Sequence, residues 1–261
     1  MAAQRTNGRL SRVRRSHRAA AILHDAYGSP HHGNKEDPLD ELVFILLSQM
    51  TTHHSFNRVF ERVKAFATTW DEVLRMRART FKALIKDAGL SGQKGPRIRA
   101  ILSRLQADFG SVTLEPLKAM GDGAAEDYLL GLPGVGIKTA KCVLMYSLGR
   151  QVLPVDTHVW RLARRLGLVE EGVPYSRVHG TLEMVVAPED RYTFHVNAIA
   201  HGRALCLPLR PRCGLCPLRR LCPSRDLGSA RGGGAKGRRR PRARARAPRG
   251  RDPHMLPAQL H

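Results

Sequence analysis

A short glycine-containing turn, set between two apolar helical segments, constrains this chain more than any other feature. The run Leu132–Ala140 reads LPGVGIKTA. Its glycines allow a tight turn and a close approach of the backbone to a ligand. A helix that begins directly after such a turn presents unpaired N–H groups and partial positive charge, which together form an anion site. The run therefore predicts two helices joined by a hairpin that binds a phosphate through Gly134, Val135 and Gly136.

The rest of the chain body also has a helical pattern. Apolar residues recur at spacings of three and four, which is typical of amphipathic helices, and no segment alternates as a half-buried strand would. The sequence therefore predicts an all-α fold. The clearest apolar sets are Leu42, Ile45 and Leu46; Phe56, Val59, Phe60 and Val63; Ile98, Ile101, Leu102 and Leu105; and Val159, Leu162, Ala163 and Leu166.

Two residues near the hairpin have side chains suited to catalysis. Lys138 lies in the first turn of the second helix, where burial and the positive helix end are expected to lower its pKa and free a nucleophilic amine. Asp156 follows 18 residues later and can stabilise positive charge. Simpler interpretations are a phosphate-binding lysine and an N-cap aspartate. Lys141, one turn further on, is expected to be solvated.

Four of the five cysteines lie close together near residue 210. Cys206, Cys213, Cys216 and Cys222 have the spacing C-x6-C-x2-C-x5-C. In a chain with no secretory signal, such a group indicates a metal or cluster site, and four thiolates can hold either zinc or a [4Fe-4S] cluster. The fifth, Cys142, is expected to be a small buried apolar residue.

The charge of the chain points to a polyanionic partner. The formal net charge is +22, with six arginines and no acid in residues 1–20 and eleven Lys/Arg against two acids in residues 224–261. We expect disordered basic segments at 1–16 and 224–261. No apolar run reaches membrane-spanning length, so no membrane partner is expected. A cytoplasmic, nucleoid-associated protein is expected, and the arginine-rich N-terminus leaves organellar targeting open.

These motifs together resemble the endonuclease III family of helix-hairpin-helix DNA glycosylases. The hairpin run, the sequence VDTH at 155–158 and the cysteine spacing all match, and the resemblance extends from about Pro38 to Pro223. It implies two helical domains with DNA in the cleft between them. Residues 40–150 would form a six-helix barrel with the hairpin, while 17–39 and 151–223 would form the cluster domain.

The resemblance also implies roles for individual residues. Lys138 and Asp156 would be catalytic, and the four clustered cysteines would hold a [4Fe-4S] cluster. Arg210 and Arg212, between the first two cysteines, would contact phosphates. In the segment LSQMT, Gln49 matches the residue that fills the space left by an extruded base, and Leu90 matches a second, apolar filler.

The function that the resemblance implies is base excision repair. We expect a monomeric, bifunctional DNA glycosylase and apurinic/apyrimidinic lyase that acts on damaged or oxidised pyrimidines and abasic sites in double-stranded DNA. Related glycosylases of other specificity, for a thymine mismatch, 5-methylcytosine or mismatched adenine, are alternatives. Lys138 argues against the adenine branch, which lacks the catalytic lysine. A non-catalytic DNA-binding cluster protein is the alternative of a different class.

Overall fold

The computed structural model describes residues 2–226, apart from the side chains of residues 2–7 and 53. The prediction of an all-α fold is confirmed: helices and short 3-10 turns alternate with loops, and this part of the chain contains no strand. No helix among residues 2–226 is both long and apolar enough to cross a membrane. The helices are α1 (Ala2–Tyr27), α2 (Pro38–Ser48), α3 (His53–Phe66), α4 (Trp70–Arg75), α5 (Ala78–Leu84), α6 (Ser91–Phe109), α7 (Asp122–Leu130), α8 (Ile137–Tyr146), α9 (Thr157–Arg165), α10 (Tyr175–Glu183) and α11 (Arg191–Ala204).

The N-terminal segment differs from its sequence-based expectation. Residues 1–16 were expected to be disordered, but α1 runs from Ala2 to Tyr27 and packs along α11. The cause is tertiary. Arg12 pairs with Glu170 at 2.6 Å, and Arg15 donates to Leu166 O at 3.0 Å. The arginines that suggested a solvated arm instead hold the helix in place. The expected disordered segment 224–261 lies outside the described residues from 227 onward.

The buried apolar residues form two clusters within one compact unit. The first draws on residues 39–152 and the second on 19–23 and 153–218. We call these the hairpin cluster and the C-terminal cluster. The division of the chain into domains 40–150 and 17–39 with 151–223 stays a prediction.

The helix-hairpin-helix consists of α7, the turn 131–136 and α8. Gly134 has a φ of +73°, a left-handed conformation that side chains other than glycine rarely adopt. Gly136 is the N-cap of α8 and offers no side chain for the first turn. The first backbone N–H groups of α8 therefore lack a side-chain cap, as a hairpin that meets a phosphate requires.

Lys141 connects the two clusters, which corrects the expectation that it is solvated. Its ammonium lies 3.0 Å from Glu126 Oε2 on α7 and 2.9 Å from Glu183 Oε1 on α10. The side chain is buried. Its two carboxylate partners were not apparent from the spacing of residues along α8.

Candidate active site

Lys138 and Asp156 line the same cavity, although Lys138 belongs to α8 and Asp156 is the N-cap of α9. The cavity has a volume of about 140 Å³. It lies between α2, the second hairpin helix α8 and α11. The structure thus brings together both residues that the sequence analysis named as catalytic. The full lining is His32, Asn34, Phe44, Ile45, Ser48, Phe56, Lys138, Cys142, Tyr146, Asp156, His195, Ile199 and Arg203.

Asp156 has a structural contact as well as its place in the cavity. Its Oδ1 accepts hydrogen bonds from the backbone N–H groups of His158 and Val159, at 2.9 and 2.8 Å, and so caps α9. Both cap bonds use the same oxygen. The carboxylate is therefore held in one orientation, and Oδ2 takes no part in the cap.

The protonation state of Lys138 differs from the expectation. Its pKa is raised, first by the negative charge that Cys142 carries when ionised, then by the carboxylates of Asp156 and Glu41 and by a hydrogen bond to Cys142; these effects outweigh burial. Burial raises the pKa of Cys142 to about 11, so its thiol is neutral at pH 7. The lysine is consequently an ammonium in the free protein. The expected lowering was wrong because the fold brings Cys142, Asp156 and Glu41 to the amine.

A buried carboxylate fixes the loop that closes the cavity before α2. Glu41 Oε1 accepts from Asn34 Nδ2 at 2.6 Å, and Oε2 accepts from the backbone N–H of Lys35 at 2.8 Å. Burial raises the pKa of Glu41. The other end of the Asn34 amide, Oδ1, is buried without a hydrogen-bond partner. The sequence analysis missed both residues, since no motif marks them.

In the hairpin, the two glycines are exposed to solvent and Val135 is buried. Gly134 and Gly136 are exposed, whereas the Val135 side chain belongs to the hairpin cluster and its N–H donates to Leu132 O at 3.2 Å. A phosphate would therefore meet the two glycines rather than the Val135 amide. Arg97 packs over Gly134, where an added Cβ would overlap its guanidinium group. This arginine, on α6, is a further cation at the hairpin.

Two loops near the cavity present apolar side chains to solvent. Met50 is 83% exposed at a φ of 53°, and Leu90 is 51% exposed at a φ of 48°. Gln49, the predicted filler, is only partly exposed, and its carbonyl is bound by Lys94. Positive φ is uncommon for side chains such as these and often marks functional loops. Met50 is therefore a stronger candidate than Gln49 for the side chain that fills the space left by an extruded base. The sequence signal for Met50 was its position beside Gln49 in the LSQMT segment.

A buried lysine joins these two loops. Lys94 Nζ donates to Leu47 O at 2.7 Å, Gln49 O at 2.6 Å and Ala88 O at 2.7 Å, and lies 3.0 Å from Thr51 Oγ1. Burial lowers the pKa of Lys94 to about 8. Its ammonium fixes the loop that carries Met50 against the loop that carries Leu90.

The four clustered cysteines line one small apolar cavity beside α9 and α11. Cys206 Sγ accepts from Arg165 at 3.2 Å, and Cys216 Sγ lies 3.4 Å from His201 Nε2. Within residues 2–226, no three His, Cys, Asp or Glu side chains are grouped as a single metal ion needs. Four cysteine thiols around one apolar space are a donor set that suits thiolate ligation of a metal or of an iron–sulfur cluster. The cysteines share the cavity with Leu162, Leu166, Leu205 and Leu218.

The two arginines predicted to contact phosphates are exposed. Arg210 has a φ of 51°, and the backbone N–H of Arg212 donates to Leu205 O at 2.9 Å. The loop between the first two cysteines is therefore anchored by its backbone. Within residues 2–226, both arginine side chains are exposed to solvent, and their contact with phosphates stays a prediction.

A comparison with protein families decides the assignment. Residues 43–188 match the model of the HhH-GPD superfamily base excision DNA repair proteins, a range that contains the hairpin, Lys138 and Asp156. The chain belongs to this superfamily. Within it, the chain is endonuclease III-like: it is 31% identical to endonuclease III of Rickettsia conorii over 183 residues, which are 69% of this chain and 81% of that protein.

Two further relatives of this HhH-GPD protein extend the comparison. A putative DNA glycosylase of Arabidopsis thaliana is 35% identical over 169 residues, or 65% of this chain, and the chain spans 58% of that relative. The structure of a trapped covalent intermediate of endonuclease III with DNA superposes with a TM-score of 0.68 at 26% identity. The match covers 79% of this chain and 93% of that one. The endonuclease III fold is thereby confirmed for this HhH-GPD protein.

Proposed function

We propose that the protein is a bifunctional DNA glycosylase and apurinic/apyrimidinic lyase that removes damaged, oxidised pyrimidine bases from double-stranded DNA. The observation that carries this proposal is the presence of Lys138 and Asp156 in one cavity. An amine without a nearby carboxylate would suit phosphate binding alone. The trapped covalent intermediate of the related endonuclease III supports a covalent step.

The covalent step begins with attack by the neutral amine of Lys138 on C1′ of the deoxyribose. The new N–C1′ bond forms while the bond from C1′ to the base breaks, and its electron pair leaves with the base, which takes up a proton. The sugar ring then opens to give a Schiff base. Loss of a proton from C2′ and cleavage of the C3′–O bond nick the strand.

Asp156 has two roles in this step. Its fixed carboxylate stabilises the positive charge that develops on the sugar as the base departs. Because Lys138 is an ammonium in the free protein, a proton must also leave before attack. Asp156 lines the same cavity, and its Oδ2 lies outside the helix cap, so it is the group suited to receive that proton.

The hairpin and the two exposed loops hold the DNA. The backbone at Gly134 and Gly136, with the guanidinium of Arg97, binds a phosphate. Met50 and Leu90 enter the base stack, where apolar side chains offset part of the cost of extruding a nucleotide. Gln49 stays a predicted filler beside Met50.

We also propose that Cys206, Cys213, Cys216 and Cys222 hold a [4Fe-4S] cluster. When bound, the cluster ties the C-terminal loop to the helices beneath it through four thiolate bonds. Arg165 donates to Cys206 Sγ and so lowers the cost of burying its negative charge, and His201 Nε2 lies 3.4 Å from Cys216 Sγ.

A trapping experiment tests the function. The wild-type protein, mixed with an abasic duplex and borohydride, should give a covalent protein–DNA adduct, because borohydride reduces the Schiff base to a stable amine. Lys138→Gln should abolish the adduct and retain DNA binding. Lys118→Gln, which removes a surface lysine paired with Glu115, should trap as well as the wild type. Equal trapping by Lys138→Gln would assign the nucleophile to another amine, and no wild-type adduct would refute lyase activity.

A further inference from the structure

Helix α2 brings a carboxylate to the edge of the cavity as well as the side chains that line it. Phe44, Ile45 and Ser48 line the cavity from this helix. Glu41 precedes them by three, four and seven residues, so it lies on the same face of α2, about one turn nearer the N-terminus. The helix packs directly against α8, which carries Lys138. Glu41 therefore lies beside the cavity, although it does not line it.

The Glu41 side chain is fully buried, and its hydrogen bonds fit the ionised form. Its relative exposure is 0%, and the next two residues, Leu42 and Val43, are buried as well. Both of its carboxylate oxygens accept from N–H donors, one from Asn34 Nδ2 and the other from the backbone of Lys35. A protonated carboxyl would carry a hydrogen on one of these oxygens, so two accepting oxygens indicate a carboxylate.

A buried carboxylate needs a positive charge nearby, because two neutral donors offset only part of the cost of burying it. Within residues 2–226, Glu41 makes no direct ion pair. The ammonium of Lys35 lies 3.2 Å from Glu61 Oε1 and 4.8 Å from the ring centroid of Phe44, so it has other partners. Of the two lysines whose charge stabilises the Glu41 carboxylate, Lys138 contributes the larger part.

The other ionisable groups around Lys138 leave Asp156 and Glu41 as its negative partners near neutral pH. Burial raises the pKa of Cys142 to about 11 and lowers the pKa of His195 to about 4, so both side chains are neutral at pH 7. The remaining titratable or charged side chains that line the cavity or face the amine carry no negative charge at pH 7. They are His32 before α2, Tyr146 on α8, Tyr175 on α10 and Arg203 on α11.

We infer that Glu41 is a positioning residue that holds Lys138 in its ammonium form and so limits the neutral amine available for attack on the sugar. Glu41 differs from Asp156 in its position. Asp156 lines the cavity and can meet the sugar, whereas Glu41 is buried behind the wall and acts only through the lysine. The catalytic part of this inference rests on the proposed function. The charge contact between Glu41 and Lys138 does not depend on it.

A direct titration of Lys138 by NMR tests the charge contact without a measurement of activity. In protein labelled with carbon-13 at lysine Cε, the signal that is absent from Lys138→Gln belongs to Lys138. Glu41→Gln should lower the pH at which this ammonium titrates by about one pH unit, because it removes a buried opposite charge. Glu61→Gln, which removes an exposed carboxylate paired with Lys35, should leave this titration unchanged. An unchanged titration in Glu41→Gln overturns the inference.

Single-turnover nicking of an abasic duplex at pH 7 tests the catalytic part. Glu41→Gln should nick at least about threefold faster than the wild type, because a larger fraction of Lys138 is neutral. Glu61→Gln should match the wild type. Structural damage caused by a substitution would slow nicking, so it cannot imitate this gain. If the titration moves as expected but nicking is not faster, the catalytic role of Glu41 is overturned.

The outcomes separate this inference from the proposed function. If the wild type neither nicks abasic DNA nor forms a borohydride adduct with it, the proposed function and the catalytic part are refuted together, and the titration still decides the charge contact. If thermal unfolding shows that Glu41→Gln does not fold, the reciprocal titration decides instead. One glutamate carboxyl should titrate above its usual range, and Lys138→Gln should raise that pH further. No response of this carboxyl to Lys138→Gln overturns the contact.

Discussion

The ammonium of Lys141 lies 2.9 Å from Glu183 Oε1, and the same oxygen accepts a hydrogen bond from the backbone N–H of Leu153 at 2.8 Å. Lys141 belongs to the second hairpin helix, whereas Glu183 ends α10 in the C-terminal part of the chain. This contact joins the helix that carries Lys138 to the segment that leads to Asp156. It therefore helps to set the relative position of the two proposed catalytic residues.

Lys141→Met should destabilise the protein by about 3 kcal/mol, because it leaves two carboxylates near the protein interior without their cation. The free energy of unfolding in denaturant measures the loss. Lys118→Met removes an exposed pair with Glu115 and should cost less than about 0.5 kcal/mol. A similar loss for both variants would show that the Lys141 contacts contribute little.

Gly202 should not tolerate a side chain. An added Cβ would lie 2.6 Å from His158 Nδ1 and 2.8 Å from His158 Cβ, at the contact of α9 with α11. We predict that Gly202→Ala costs about 1–3 kcal/mol through overpacking. Gly180→Ala, in the open on α10, should instead stabilise by about 0.5 kcal/mol. Thermal unfolding compares them, and a neutral Gly202→Ala would contradict the close approach.

Met50 should matter for base extrusion more than Gln49 does. We predict that Met50→Ala slows release of a damaged base about tenfold, because the space left in the stack is no longer filled by an apolar side chain. Met184→Ala, at a position that is 57% exposed, is the matched control and should have no effect. If Gln49→Ala slows release more than Met50→Ala does, the filler is Gln49, as the sequence resemblance implies.

Acid should destabilise the fold through two buried histidines. Burial lowers the pKa values of His179 and His195 from 6.5 to about 4. Between these values the unfolded chain binds more protons than the folded one, so the free energy of unfolding falls as pH is lowered from about 6.5 to about 4. The loss is up to about 3 kcal/mol for each ring.

Denaturant unfolding at pH 7 and pH 5 measures this dependence. His179 Nε2 accepts from the backbone N–H of Val155 at 3.3 Å, a bond that protonation would break. His179→Gln keeps an acceptor but does not titrate, so its stability should change less between the two pH values. An unchanged pH dependence in this variant would exclude His179 as a source.

Metal analysis should find about four irons in each chain and no stoichiometric zinc. Cys213→Ser should lose the visible absorbance of the cluster and destabilise the C-terminal cluster of apolar residues, since metal binding and local folding are coupled. Cys142→Ser, which alters the cysteine beside Lys138, should retain the iron. About one zinc and no iron would refute the cluster assignment.

The sequence was sufficient for most of the helices and for naming Lys138 and Asp156, which line one cavity and whose catalytic roles stay a prediction. The spacing of apolar residues predicts α2, α3, α6 and α9, and the hairpin motif predicts Lys138 and Asp156. It was not sufficient for α1, because the arginines of this segment suggested a solvated arm although the helix packs along α11. It was also not sufficient for Asn34, Arg97 and Lys94. Their roles depend on which atoms the folded chain brings within about 3 Å, and such contacts leave no periodic signal. The pKa of Lys138 was misjudged for the same reason.

The docking of α1 has a consequence for the order in which the protein acquires its structure. Helix α1 is synthesised before the other described helices, yet its Ala19, Ala20 and Leu23 bury their side chains against residues from 153 to 218. The hairpin cluster uses residues 39–152 alone and has all its parts while α1 still lacks a partner. During translation the ribosome therefore releases α1 well before the surface that it covers. Helix α1 can therefore dock only after the hairpin cluster already has all its parts, although it precedes that cluster in the chain.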